Sequence, residues 1–196
     1  MMIQQLGAQR FAVEGSPADC ILAGLHDVMK DALPDLILSG VNRGNNSAEN
    51  ALYSGTLGAA IEGALQGVLS IAISQFFGPK NRDLKDTFEA SAVHSASVIK
   101  KIITATPAQA SGYQLFYNVN IPPVAATDVK GTVVVPQGLR KGTGFHTVTS
   151  TSPSGRQFLW ISGGDQQRPT APGTDAAVNL DGYISVTPMR ADFTAY

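Results

Sequence analysis

DLILSGVNRGNNSAENALYSGTLGAAIEG, residues 35–63, decides how this chain is read. It opens on a short apolar run, Leu36, Ile37 and Leu38, passes through a polar loop rich in Gly and Asn over 39–52, and resumes at Tyr53, Ser54, Gly55 and Thr56 as a small-residue helix. An apolar run without alternation predicts a strand covered on both faces. Over 55–67 Gly and Ala alternate with Leu57, Ile61 and Leu65, so the helix can lie close against a sheet, and 68–74 (VLSIAIS) reads as a second buried strand. Strand, helix and strand make the βαβ unit of a parallel sheet. Such sheets take ligands at the carboxyl ends of their strands, and a helix start offers unpaired N–H groups and partial positive charge to an anion. The stretch therefore points to a phosphate-handling site.

Working outward, 14–19 reads as a turn into a helix, with Ser16 as N-cap, Pro17 at the first helical position and Asp19 three residues after the cap. Ile21, Leu22, Leu25, Val28 and Met29 then share one face, and Pro34 sets the limit of the helix. Cys20, inside it, reads as a small buried hydrophobe. Downstream, 76–83 is a Gly, Pro and charge-bearing loop placed to cover the site. A long helix is expected over 84–104, with His94 in a structural role beside its apolar stripe. A third strand over 114–121 is closed by Pro122 and Pro123.

After residue 124 the texture changes. Runs at 131–135, 147–150 and 157–162 are separated by Gly, Pro and Ser clusters, a β-hairpin pattern, while 163–173 is too polar for regular structure and 183–188 is a last strand. The expected division is a partial α/β domain over 1–122, a β-rich hairpin extension over 123–172, and a strand and tail over 173–196 that return to the α/β domain. A two-stranded ribbon is marginal in water, so a second subunit is its expected cover.

With 196 residues, 43% of them hydrophobic and 15% charged, the chain can bury a sizeable core. A net charge of -1 gives no basic field, which argues against nucleic acid or an anionic membrane as partner and for small molecules or other protein chains. One cysteine can form neither an intramolecular disulfide nor a cysteine pair for zinc, and fits a reducing cytoplasm. No apolar run approaches the roughly 20 residues that span a bilayer, and the first residues lack the apolar core of a signal peptide.

Six stretches, taken together and in order, resemble the survival protein SurE family of metal-dependent nucleotidases: GSPADC (15–20), PDLILSGVNRGNN (34–46), YSGTLGAAIEG (53–63), GVLSIAIS (67–74), NVNIP (118–122) and GTDAAVNLDGYISVTPMRADFT (173–194). The resemblance implies a Rossmann-like, three-layer α/β domain with a parallel sheet and a β-hairpin extension exchanged within a homodimer or homotetramer. It implies hydrolysis of phosphomonoesters, chiefly nucleoside monophosphates, with Mg²⁺ or Mn²⁺. Asn42 matches the family's asparagine metal ligand, and Ser54, Gly55 and Thr56 match a stretch close to the bound phosphate. Gly44 and Asn46 of the loop join them as candidate phosphate contacts.

The chemistry of these residue types agrees. A hard cation takes oxygen ligands, which an Asn amide can supply, and hydroxyl and backbone donors neutralise phosphate oxygens. Each residue also has a local reading: Asn42 as a turn former, Ser54 as an N-cap, Thr56 as a helix-start residue. Asn45 and Asn46 either touch phosphate or base or simply take turn conformations. Tyr53 and Tyr183 read as packing residues in preference to stacking platforms, and Asp175 and Asp192 as structural hydrogen-bond acceptors.

One departure from the family pattern is plain: the chain has no Asp-Asp pair, whereas the family binds its metal with two aspartates from an N-terminal Asn-Asp-Asp-Gly segment and a later serine. The expectation is a chain lacking that segment and the first strands of the sheet, with weak metal binding, impaired activity and unassigned catalytic residues. The alternative is a non-catalytic oligomerisation or binding module.

Overall fold

Ser16 opens the first helix as its residues require. Its hydroxyl accepts the Asp19 N–H while the Asp19 carboxylate accepts the Ser16 N–H, a reciprocal capping box followed by Pro17 at the start of α1 (Pro17–Ala23). The computed structural model describes residues 1–107, 112–142 and 144–194. Ahead of α1, β1 (Ile3–Gly7) and β2 (Arg10–Val13) form an antiparallel hairpin that the sequence reading did not anticipate. Ile3, Phe11, Val13, Val28 and Met29 line an open groove of about 700 Å³ between this hairpin and the α1 region. Cys20 lies on that groove and is exposed, which corrects its reading as a buried hydrophobe.

The central sheet contains β3 (Leu36–Arg43), β4 (Leu69–Gln75), β5 (Phe116–Ile121), β6 (Thr132–Val134) and β9 (Ile184–Met189) in the order β3-β4-β5-β9-β6. β3, β4 and β5 are parallel; β9 runs antiparallel to β5, and β6 is parallel to β9. The sheet is therefore α/β and mixed, with a parallel half and a reversed half. β6, expected among the hairpin runs, lies instead at the sheet edge, where Thr132 to Val134 pair with Ile184 to Val186.

Alternation along the strands divides two cores. Ile71, Ile73, Tyr117, Val119, Ile121, Ile184 and Val186 face α3 (Glu89–Ala105), which contributes Ala90, Val98 and Ile102. On the other face, Ala72 and Phe116 meet Leu57, Ala60 and Ala64 of α2 (Gly55–Leu65). The small-residue composition of α2 is used at Gly63, where a Cβ would come within 2.7 Å of Ile37 Cδ1 and would also strike the Ser70 hydroxyl. α3 starts later than residue 84 because Asp86 Oδ1 accepts the Phe88 N–H at 2.8 Å, closing a turn just before the helix. His94 is structural, as expected: its Nε2 donates to the Ala126 carbonyl at 2.9 Å.

β3 differs from its reading in two ways. It continues through Asn42 and Arg43, which pair with Ser74 and Gln75, instead of yielding to loop at Ser39. It is also an edge strand among the described residues, so Leu38 is 51% and Val41 41% exposed and the strand is not covered on both faces. β7 (His146–Thr151) and β8 (Gln157–Ser162) form the expected hairpin, with Phe158, Leu159, Trp160 and Ile161 all exposed. α4 (Asp175–Leu180), a helix the sequence reading missed, leads into β9. No helix among the described residues is long and apolar enough to cross a membrane.

Candidate functional site

At the carboxyl edge of the parallel strands, the chain leaves β3 through Gly44. That residue has φ +118°, where glycine is favoured, and its N–H donates to the Gln75 carbonyl at 2.9 Å. Its carbonyl accepts the Asn42 Nδ2 at 2.9 Å. Asn42 is half-buried, and this bond fixes its amide so that Oδ1 is left without a protein donor among the described hydrogen bonds. Gly44 thus orients Asn42, and its own N–H is engaged by β4.

Asn46 is likewise committed to the scaffold. It is 7% exposed, its N–H donates to Asn120 Oδ1 at 2.7 Å, and its Nδ2 donates to Ser74 Oγ at 2.7 Å. Asn118 Nδ2 holds the Asn46 carbonyl at 2.9 Å, and Asn179 Nδ2 holds the Asn120 carbonyl at 2.9 Å. The loop is laid on a polar strip of the sheet, with the Asn46 N–H, Nδ2 and carbonyl all partnered by sheet side chains.

Buried charge fastens the next residues. Ala48 has φ +53°, a sparsely populated conformation for a residue with a Cβ, and its N–H donates to Asp175 Oδ2 at 2.9 Å. Asp175 Oδ1 also accepts the N–H groups of Gly138 at 2.8 Å and Ala176 at 2.6 Å. Burial pushes the Asp175 carboxyl above the ordinary carboxylate range, opposed by these N–H groups and by Arg140. Arg140, 2% exposed, donates through its guanidinium to the Ser47 carbonyl at 2.9 Å and the Ser47 hydroxyl at 2.6 Å. Its backbone N–H reaches Glu49 Oε2 at 2.9 Å. Burial lowers the Arg140 pKa, and the charges of Glu49, Asp175 and Asp165 work against that.

A short 3₁₀ turn, Ala48–Tyr53, then delivers the chain to α2. Ser54 caps α2, its hydroxyl oxygen accepting the Leu57 N–H at 3.1 Å, while the Gly58 N–H goes to the Ser54 carbonyl at 2.9 Å. No acceptor is present among the described hydrogen bonds for the Gly55 and Thr56 N–H groups, the first two donors of the helix. Gly55 is exposed, and Ser54 and Thr56 are half-buried. Asn42 at the end of β3 and Ser54 to Thr56 at the start of α2 therefore share one edge of the domain, joined by the fastened loop. The 76–83 loop stands beside it: the Arg43 guanidinium lies 5.2 Å from the Phe77 ring centre.

A divalent cation would find one amide oxygen at Asn42. Among the described residues no three His, Cys, Asp or Glu side chains converge as a metal group. Since Mg²⁺ is held through one or two carboxylates, this donor set alone does not fit it. Tyr53 is 71% exposed, which departs from its reading as a packing residue, although its ring meets Phe145 edge to face at 4.9 Å. Tyr183 is half-buried, with Lys130 Nζ 5.8 Å from its ring centre. Asp192 accepts the Thr194 N–H at 2.9 Å, as expected of a structural acceptor. Sequence reasoning missed Arg140, Glu49, Asn118, Asn120 and Asn179. Asn118 and Asn120 carried a usable signal, since polar residues two apart in an apolar strand share one face.

Comparison with known proteins places this geometry. The family model described as "Survival protein SurE" matches residues 2–143. A protein named 5′-nucleotidase SurE from Roseobacter denitrificans is 63% identical over 196 residues, spanning 100% of this chain and 75% of the relative. Another of that name from Ruegeria pomeroyi is 66% identical over 195 residues with the same coverage. Among solved structures, the SurE protein from Aquifex aeolicus superposes with a TM-score of 0.77 at 32% identity, covering 100% of this chain and 75% of that one. By the family model, by the identity of its relatives and by its fold, the chain belongs to the SurE family.

Proposed function

We propose that this chain is a phosphomonoesterase of the 5′-nucleotidase type, which hydrolyses nucleoside monophosphates to nucleoside and phosphate. The observation that carries this reading is the free donor set at the α2 start, Ser54 Oγ with the Gly55 and Thr56 N–H groups, on the edge where Asn42 Oδ1 is also free. The names of the relatives from Roseobacter denitrificans and Ruegeria pomeroyi support it. Ser54 and Thr56 hydroxyls and the two N–H groups receive the nonbridging phosphate oxygens, and the partial positive charge of the helix start favours them further. Such donors, fixed before substrate arrives, stabilise the charge that develops as the ester bond breaks.

A divalent cation, Mg²⁺ or Mn²⁺, would supply charge neutralisation and an activated water. Asn42 is the residue of this chain proposed to touch it. Because a single amide oxygen is a poor site for such a cation, we expect these 196 residues to bind metal weakly and to turn over slowly. The single cysteine fits a reducing cytoplasm.

Phe158, Leu159, Trp160 and Ile161 on β8 favour a second feature, association of copies through the hairpin as a homodimer or homotetramer. That surface also supports the alternative reading, a non-catalytic assembly module. Phosphate release from adenosine 5′-monophosphate with Mn²⁺, with and without EDTA, separates the two. The enzyme reading predicts EDTA-sensitive release that falls about 100- to 1000-fold in Thr56→Val, the order of one lost oxyanion donor. Association without any release, at any Mn²⁺ concentration, would leave the assembly module.

A further inference from the structure

We propose that Tyr53 and Phe145, with Asn50 and Gln166 beside them, hold the nucleobase of the nucleoside monophosphate; this rests on the phosphomonoester reading of the α2 start. Tyr53 immediately precedes Ser54 in the chain, at the entry to α2, and is 71% exposed. Phe145 meets it edge to face with an interplanar angle of 71° and is itself 47% exposed. Two aromatic rings that fix each other and still present uncovered faces make a stacking surface that loses little freedom on binding.

Hydrogen-bonding groups reach the same place. Asn50 lies three residues before Tyr53 on the 3₁₀ turn Ala48–Tyr53, where residues i and i+3 eclipse. Its Nδ2 donates to Asn45 Oδ1 at 3.1 Å and also to Gln166 Oε1. At Gly163, a Cβ would come 3.3 Å from Phe145 Cε1 and 4.0 Å from the Gln166 Nε2, so the ring and this carboxamide converge on one glycine. Asn45, 8% exposed, keeps an Nδ2 buried without a partner. Carboxamides offer both donors and acceptors to a base edge. Stacking accepts any base, because every base has a π face, so the subsite tolerates purines and pyrimidines alike.

The 196-residue protein is titrated with inorganic phosphate, ribose 5-phosphate, adenosine 5′-monophosphate and cytidine 5′-monophosphate in the presence of Mn²⁺, following heat or NMR line widths. Both nucleotides should bind more tightly than ribose 5-phosphate. Tyr53→Ala should weaken nucleotide binding about tenfold, the order of one lost base stack, and leave ribose 5-phosphate and inorganic phosphate unchanged. Tyr53→Phe, which keeps the ring, should match the parent. Equal affinity for nucleotide and ribose 5-phosphate overturns the subsite while leaving the phosphate site standing. So does a Tyr53→Ala variant that weakens all four ligands equally, or that changes only the sedimentation mass. Failure of all four ligands to bind overturns the phosphomonoester reading and the subsite together.

Discussion

The loop over 44–48 and the β7–β8 hairpin treat their side chains in opposite ways. The loop is polar yet buried: Asn45, Asn46 and Ser47 are each under 9% exposed, and their bonds run to Asn120, Ser74, Asn50 and Arg140. The hairpin is apolar yet uncovered, with Ile161 77% and Leu159 67% exposed. Hydrogen bonds to distant residues of the same chain hold the loop, while nothing within the described chain covers the hairpin ridge. The site loop is thus held within one chain, and the hairpin ridge is the surface on which the proposed association of copies rests.

The sharpest way to break this contrast is Asp175→Ala. It strips the acceptor from the Ala48 and Gly138 N–H groups and removes one of the carboxylates that offset Arg140. Removing one partner of a buried charge network costs about 3–5 kcal/mol, read as a drop in the urea midpoint at unchanged m-value. A cost under about 1 kcal/mol would show that the loop does not depend on this network. On the hairpin side, Trp160→Ser with Ile161→Ser should leave the urea midpoint of dilute, monomeric protein within about 0.5 kcal/mol, the range of surface substitutions. The same pair should shift the sedimentation mass toward monomer.

Acid and base probe the two ends of the fold with opposite signs. The Asp175 pKa is raised by burial, so its contribution is largest when it is protonated and is lost as the pH rises through the raised value. Asp19 is lowered by its bonds to the Ser16 hydroxyl and N–H, so its contribution is present above the ordinary Asp value and is lost as the pH falls through the lowered one. Urea midpoints measured against pH in Asp175→Asn and Asp19→Asn should each lose one of these slopes. Smallest of all, Ser16→Ala should cost about 1 kcal/mol, the usual price of an N-cap, and leave nucleotide binding untouched.

Much of this architecture was legible because its causes are local. Ser16, Pro17 and Asp19 announce α1, and the Gly and Ala spacing of 55–65 announces a helix close against a sheet. The positions of Asn42 near the end of a strand and of Ser54 to Thr56 at a helix start were legible, and the course of the chain between them was not. Gly40 and Asn42 look like turn residues, yet β3 runs through them because Ser74 and Gln75 of β4 pair with Asn42 and Arg43 from more than 30 residues away. Asn46 looks like a ligand residue for the same reason: nothing nearby in sequence reveals that Asn120 and Ser74 occupy its donors. The placement of β6 beside β9 and the clamp from Arg140 to Ser47 are long-range contacts of the same kind.

Asn42 carries the central claim, that the end of β3 and the start of α2 form one phosphomonoester site. Its most direct test is phosphate release from adenosine 5′-monophosphate by the 196-residue protein and by Asn42→Ala across a Mn²⁺ titration. The account predicts slow release that saturates only at high Mn²⁺, is abolished by EDTA and is lost in Asn42→Ala while phosphate binding at α2 persists. Release that ignores EDTA, or that survives in Asn42→Ala at the same Mn²⁺ midpoint, would contradict it.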